Sequence, residues 1–242
     1  MKIDGRPTLS RAQAREVYDG FARKGHIGGK DTSTGYGGPA VQALLTMALF
    51  GDAKTVFEFG CGQAKLANLV LADTAPHLSW TAVDQSPEMI SRARQSMEPY
   101  GDRFSCALLD TGEPAAAAKA SGTVSKVDRY ISTFVLDLLS ERDMYAVLDD
   151  AQARLEPKTG LLLLAGITWG WRDSLRTFAM TLVWEVLYRF VPRVVGGCRP
   201  QQLAPYLRAR GWTVVSEQRT LPNGFPWMVS EVIAARPPGP AP

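Results

Sequence analysis

Three carboxylates and two glycines carry the first chemistry legible in this 242-residue chain. Glu58, Asp84 and Asp110 each stand at or near the end of a short apolar run, and Gly60 and Gly62 follow the first of them. If those runs are neighbouring parallel strands, the acids line one crevice at the carboxyl edge of a sheet, where open α/β sheets bind ligands. An acid closing the second strand, beyond the glycine turn, is placed to accept hydrogen bonds from vicinal ribose hydroxyls. Asp110 suits an exocyclic amine such as that of adenine, and Glu58 an ammonium reached through water. Glycines belong in the turn because a side chain there would hold the backbone away from the ligand.

These residues need a frame to hold them. Residues 55–59 have strand character, and Leu66, Leu69 and Val70 then recur at helical spacing. A second strand is expected at 78–84, followed by Ser86 as N-cap and Pro87 at the first helical position of a helix ending near Met97. Strands follow at 103–109 and 127–133. Ser140 with Asp143 opens another helix, and the continuous apolar run 161–167 reads as a strand buried on both faces. Helices at 171–191 and 200–210 precede two strands, 212–221 and 228–235, joined by Pro222-Asn223-Gly224-Phe225-Pro226. Upstream, 9–24 and 39–50 read as helices with a glycine-rich connection between them. The expected fold is α/β: a doubly wound, mostly parallel seven-stranded sheet with helices on both faces and a C-terminal antiparallel hairpin. An N-terminal helix and glycine-rich flap (1–38) would precede the main domain (39–236), which carries a helical insert at 168–200. A disordered tail (237–242) would end the chain.

Composition narrows the class further. At 45% hydrophobic and 21% charged, the chain suits one globular domain with a full core. The net charge of +3 is spread along the sequence, without the clustered basic face that nucleic acid requires. Cys61, Cys106 and Cys198 lie far apart and form no CxxC, which argues against a disulfide framework or zinc site and for a reducing cytoplasm. The first residues, Met1 to Arg15, contain no apolar stretch of the kind a signal peptide needs.

Taken together, these residues resemble the Rossmann-like (class I) S-adenosylmethionine-dependent methyltransferases. Glu58-Phe59-Gly60-Cys61-Gly62-Gln63-Ala64 is similar to that family's ExGxGxG motif, with Ala64 where a third glycine is usual. Ala82-Val83-Asp84-Gln85-Ser86 resembles its ribose-binding strand end, Leu109-Asp110 its adenine-contacting acid, and 127–136 its fourth motif. Leu155-Glu156-Pro157-Lys158-Thr159-Gly160 resembles the turn before its fifth strand. The resemblance implies S-adenosyl-L-methionine as cofactor, contacted by Glu58, Gly60, Cys61, Gly62, Asp84, Gln85, Met89, Asp110, Thr111, Thr133 and Phe134. A nicotinamide dehydrogenase is the rival on a glycine turn, but Lys65 stands where GxGxxG needs a small residue. A non-catalytic cofactor-binding scaffold of the same fold is the alternative from another class.

Candidates for the acceptor side are fewer. Asp137, after the fourth motif, and His26, in the glycine-rich segment, are candidate bases; a solvated or capping acid and a surface histidine are the plain alternatives. Tyr18 and Tyr36 are candidates to close over the site, and Arg199 to bind an anionic substrate group. In the long helix, Leu175, Phe178, Ala179, Leu182, Val183, Val186, Leu187 and Phe190 form a stripe expected to face the core. Trp184 and Tyr188 then either wall an apolar acceptor pocket or belong to a core or homodimer contact. Arg176, Glu185 and Arg189 interrupt that helix, so an integral membrane span is not expected. Ser132-Thr133-Phe134-Val135 replaces the Asn/Asp-Pro-Pro-Tyr that the family uses for base and amide nitrogens. The expected partner is a small, partly apolar acceptor with an oxygen, nitrogen or sulfur nucleophile.

Overall fold

The computed structural model describes residues 9–24, 36–73, 77–109, 113, 116–117, 126–170 and 173–239. One sheet contains Thr55–Phe59 (β1), Ser79–Asp84 (β2), Phe104–Leu108 (β3), Arg129–Thr133 (β4), Leu161–Thr168 (β5), Thr213–Thr220 (β6) and Val229–Arg236 (β7). Its order is β3-β2-β1-β4-β5-β7-β6. The first five strands pair in parallel, while β7 runs antiparallel to both β5 and β6. The expected α/β architecture is therefore present. Strand order reverses between β1 and β4, so the crevice of a doubly wound sheet opens at their carboxyl ends.

The described helices are Arg11–Arg23 (α1), Gly37–Ala48 (α2), Lys65–Asp73 (α3), Pro87–Met97 (α4), Glu141–Arg154 (α5), Leu175–Phe190 (α6) and Ala204–Ala209 (α7). Helices α2, α3 and α4 build one core with Trp80, Ile131 and Leu163; α5 and α7 build the other with Phe57, Tyr130, Leu162 and Trp212. Every residue of β5 is buried, as a strand covered on both faces requires. Ser86 and Ser140 cap α4 and α5 by accepting from the Met89 and Asp143 amides. The C-terminus of α2 is closed from the sheet, where the buried Arg129 guanidinium donates to the Ala48 and Leu49 carbonyls.

Two expectations need correction. The helix expected at 200–210 covers only Ala204–Ala209, because the preceding residues are pinned to the sheet: the Gln201 amide donates to the Ile167 carbonyl and the Leu203 amide to Glu231. The second correction concerns which way α6 faces. Of its expected core stripe only Leu187 is half-buried; Leu175 is 82% exposed, Phe190 is 72% exposed, and Phe178, Ala179, Leu182, Val183 and Val186 also face outward. The inward face holds Thr177, Thr181, Trp184 and Tyr188.

Polar anchoring accounts for the rotation of α6. Thr177 Oγ1 donates to the Gly170 carbonyl at 2.8 Å, and the Gly170 amide donates to Thr181 Oγ1 at 3.2 Å. A side chain at 170 would meet the Thr177 backbone at 2.8 Å, so glycine is needed for the close approach. Further along, the Trp184 indole donates to the Cys198 carbonyl at 3.0 Å. Of the C-terminal segment, Pro237 is buried and Pro238 lies beside Gly211, while 240–242 fall outside the described residues.

Candidate functional site

The tips of β1, β2 and β3 are tied to one another through Asp84. Its Oδ2 accepts from the Gly62 amide at 2.7 Å, its Oδ1 from the Ser86 amide at 2.9 Å, and its carbonyl from the Leu109 amide at 2.8 Å. The Gly60 and Cys61 amides donate to the Val83 carbonyl, fixing the glycine turn against β2. Asp84, Gly60, Gly62 and Gln85 keep part of their surface open, whereas Cys61 and Met89 are buried. Glu58 is also fully buried, and its Oε2 accepts from the Trp80 indole at 3.1 Å. Asp110 and Thr111 lie outside the described residues, but the amide preceding Asp110 is the one that Asp84 holds.

Backbone conformation explains the residue types of the turn. Gly60 (φ 77°) and Gly62 (φ 56°) are left-handed, which glycine adopts without a side-chain penalty. A Cβ at Gly60 would also meet Val135 Cγ2 at 2.4 Å, so the chain leaving β4 crosses directly over the turn. Ala64 too is left-handed (φ 57°), at the position where the resembled motif has its third glycine. The departure there is a matter of backbone conformation more than of packing between helix and strand. Phe134 is left-handed as well (φ 54°), held by its amide to the Ala165 carbonyl at 2.7 Å. Strain in a bulky residue is retained where surrounding structure enforces it, commonly at ligand sites. Ser132 Oγ donates to the Phe59 carbonyl, and Thr133, also buried, ends β4.

Immediately past Val135 the chain enters a second cluster, drawn from segments far apart in sequence. Tyr36 packs edge-on against Phe134 at 5.3 Å and against Trp184 at 6.2 Å between ring centroids. Tyr18 Oη and Cys198 Sγ are 3.6 Å apart. Tyr188 Oη accepts from the Arg199 guanidinium at 3.5 Å, and the same guanidinium donates to the Leu139 carbonyl at 3.0 Å. Arg199, buried, is therefore turned toward interior partners, and its amide donates to the Asp137 carbonyl.

Asp137 is 1% exposed. Its Oδ2 accepts a long bond from the Ile167 amide, 3.4 Å, and Oδ1 has no hydrogen-bond partner among the described residues. Burial raises its pKa from 3.8 to about 7, against the lowering effect of the Ile167 and Asp137 amides and of Arg199. Burial likewise pushes the Tyr18 and Tyr36 phenols and the Cys198 thiol well up, with the neighbouring Asp137 charge adding to each. The cluster thus sets one acid poised near neutrality among two neutral phenols, a neutral thiol and the Arg199 guanidinium, as acid–base chemistry at neutral pH demands.

Sequence reasoning brought Tyr18, Tyr36, Asp137, Trp184, Tyr188 and Arg199 forward separately, and the structure places them together. His26 lies outside the described residues. Two participants were missed. Cys198 joins Tyr18 to Trp184, and the turn of Gly196 and Gly197, both left-handed, was its one sequence signal. Asp19 accepts a short bond from Ser86 Oγ and so seats α1 at the start of α4, beside Asp84. No local pattern announces a contact of that range. Among the described residues no group of histidine, cysteine and acidic side chains could hold a metal ion, and no helix is long and apolar enough to cross a membrane.

Comparison with known proteins agrees with this geometry. Residues 57–162 match the family model of a methyltransferase domain. No curated protein sequence matches the chain. The crystal structure of the N-methyltransferase NodS from Bradyrhizobium japonicum WM9 is 19% identical with a TM-score of 0.58, covering 82% of this chain and 94% of that one. The mitomycin 7-O-methyltransferase MmcR is 21% identical with a TM-score of 0.59, over 83% of this chain and 55% of that one. The [4+2]-cyclase SpnF, 14% identical with a TM-score of 0.70, is matched over 97% of this chain and 98% of its own. The domain match and the order of motifs along the sheet identify residues 57–162 as a methyltransferase domain on a class I, Rossmann-like fold. The chain thus carries a methyltransferase domain over residues 57–162, and the methyl donor of such a domain is S-adenosyl-L-methionine.

The residues present fit that donor. Gly62 and Asp84 are both half-buried at the sheet's carboxyl edge, with the Asp84 carboxylate anchored by the Gly62 and Ser86 amides.

Proposed function

We propose that this enzyme methylates an oxygen, nitrogen or sulfur nucleophile of a small, partly apolar molecule. Asp84 and the Gly60–Gly62 turn hold the donor's nucleoside, with Cys61, Gln85, Met89, Thr133 and Phe134 around it; Glu58 braces the turn from beneath through Trp80. When bound, S-adenosyl-L-methionine supplies a methyl group already activated on a sulfonium, so the protein's work is placement and electrostatics. Tyr36 and Trp184 wall the acceptor's apolar part, and Tyr18 with Cys198 excludes water from its reacting end. Asp137 takes the acceptor's proton at Oδ1 where one must be lost, and Arg199 with Tyr188 fixes the loop that carries Asp137.

The observation behind this reading is the buried Asp137 carboxyl, whose Oδ1 has no hydrogen-bond partner among the described residues, lying just past the residues that overlie the glycine turn. The test is methyl transfer from S-adenosyl-L-methionine to a panel of quinols, phenols, thiols and amines, followed as S-adenosylhomocysteine formation. Turnover on an apolar member that falls with Asp137→Asn supports the assignment. Donor binding with no turnover on any acceptor favours a cofactor-binding scaffold instead.

A further inference from the structure

The outward face of α6 has no counterpart in the chemistry described so far. Leu175, Phe178, Leu182, Val183, Val186 and Phe190 project along it, and Val191 and Val194 prolong the strip beyond its end, 45% and 68% exposed. At the other end, the first turn of α6 shares a groove of about 280 Å³ with Leu221, Pro222, Gly224 and Trp227 from the β6–β7 connection. Phe225, 71% exposed, stacks edge-on against Trp227 in that connection. The α6 side of that groove is polar, formed by Asp173, Ser174, Arg176 and Thr177, so the exposed apolar strip of α6 and the apolar β6–β7 connection flank it from two sides. Soluble monomers rarely expose a contiguous apolar patch of more than about 300–600 Å², and larger ones mark docking sites.

The exposed charges of α6 are both positive. Arg176 and Arg189 are exposed near the two ends of the helix, whereas its single acid, Glu185, is half-buried; burial raises its pKa, and the nearby Arg199 and Arg189 lower it. Nearby acids are engaged, with Asp173 bound to Arg219 and Glu16 to Arg193. Pairing with a second copy across a two-fold axis would set arginine against arginine whether the helices ran parallel or antiparallel, with no exposed acid on α6 to offset them. An anionic lipid surface satisfies both features. Its acyl boundary takes the apolar strip, its headgroups take the arginines, and aromatic residues such as Phe225 and Trp227 are at home at that depth.

We propose that the outer face of α6, with the β6–β7 connection, docks the enzyme peripherally on membranes containing anionic phospholipid. Docking of this kind needs neither donor nor acceptor, so it stands apart from the methyl-transfer reading. The experiment is co-sedimentation of the full chain with phosphatidylcholine vesicles, with and without phosphatidylglycerol, at low and high salt. Wild type is expected to pellet with phosphatidylglycerol vesicles at low salt. Leu175→Ser/Phe190→Ser is expected to weaken binding about tenfold or more, and Arg176→Gln/Arg189→Gln to remove most of the salt dependence. All four positions are exposed, so melting temperature and donor binding should stay at wild-type values; if the serine variant unfolds, the arginine variant decides. Wild type that remains in the supernatant, or arginine and serine variants that bind as wild type does, would overturn the proposal. So would a stable dimer in light scattering that the serine substitutions dissociate, since a second copy would then be what covers the face.

Discussion

The strand-tip crevice and helix α6 respond differently to the same kind of sequence reading. At the crevice each residue type answers a local demand: a left-handed backbone at Gly60 and Gly62, a carboxylate where the Gly62 and Ser86 amides need an acceptor. On α6 the strongest signal was periodicity, and periodicity states only that a helix has two unlike faces. It does not say which one is buried. The apolar face turned outward because Thr177, Thr181 and Trp184 have specific partners inside. Polar satisfaction, position by position, outranked apolar area.

The largest effect expected on the crevice side is that of Asp137→Asn. Loss of a positioned base lowers kcat by about 10²- to 10⁴-fold on an acceptor that must lose a proton. The same substitution has a stability signature. Because the folded-state pKa of Asp137 is raised from 3.8 to about 7, folding favours its protonated form. That contribution is intact below pH 3.8 and is lost as pH rises through about 7. Asp137→Asn should therefore melt above wild type at pH 8, by up to roughly 4 kcal/mol of stability, and close to it under acid conditions. Tyr18, Tyr36, Cys198 and Arg199 face the same carboxyl, and wild-type-like melting at both pH values would show that they already compensate its charge.

Gly60→Ala comes next. A left-handed alanine pressed against Val135 should cost about 2–4 kcal/mol, read as lost donor affinity in calorimetry together with a lower melting temperature. The two faces of α6 sharpen the contrast further. Tyr188→Ala should destabilise by about 3 kcal/mol and Thr181→Val by about 1 kcal/mol, whereas Leu182→Ser on the outer face should stay within about 0.5 kcal/mol in chemical denaturation. Equal losses on both faces would reverse the orientation described here. The smallest effect belongs to Ala64→Gly, where relief of a left-handed alanine and loss of its buried methyl nearly cancel, leaving about 0.5 kcal/mol either way.

The fold was legible because its parts obey local rules. Alternating strands and helices, serine caps at 86 and 140, and the apolar run before Thr168 together place a parallel sheet with little ambiguity. Much of the candidate site was legible too, as a set of residues without a shared location. What joins them is long-range: Tyr18 meets Cys198, Tyr36 meets Trp184, and Asp19 meets Ser86 only once the sheet is assembled. Phe134 gives no hint of its left-handed backbone, since phenylalanine seldom adopts one. Nor could α7 be seen to be short, because the backbone bonds that delay its start come from β5 and β7.

The central claim is that Asp84 and the turn it holds bind the donor's nucleoside, and calorimetric titration of S-adenosylhomocysteine into wild type and Asp84→Ala tests it most directly. Removing a charged hydrogen-bond acceptor should weaken binding by roughly 1.5–3 kcal/mol, about 10- to 150-fold in Kd. An unchanged Kd in a variant that melts like wild type would remove Asp84 from the site, and with it the crevice as the place where this enzyme holds its methyl donor.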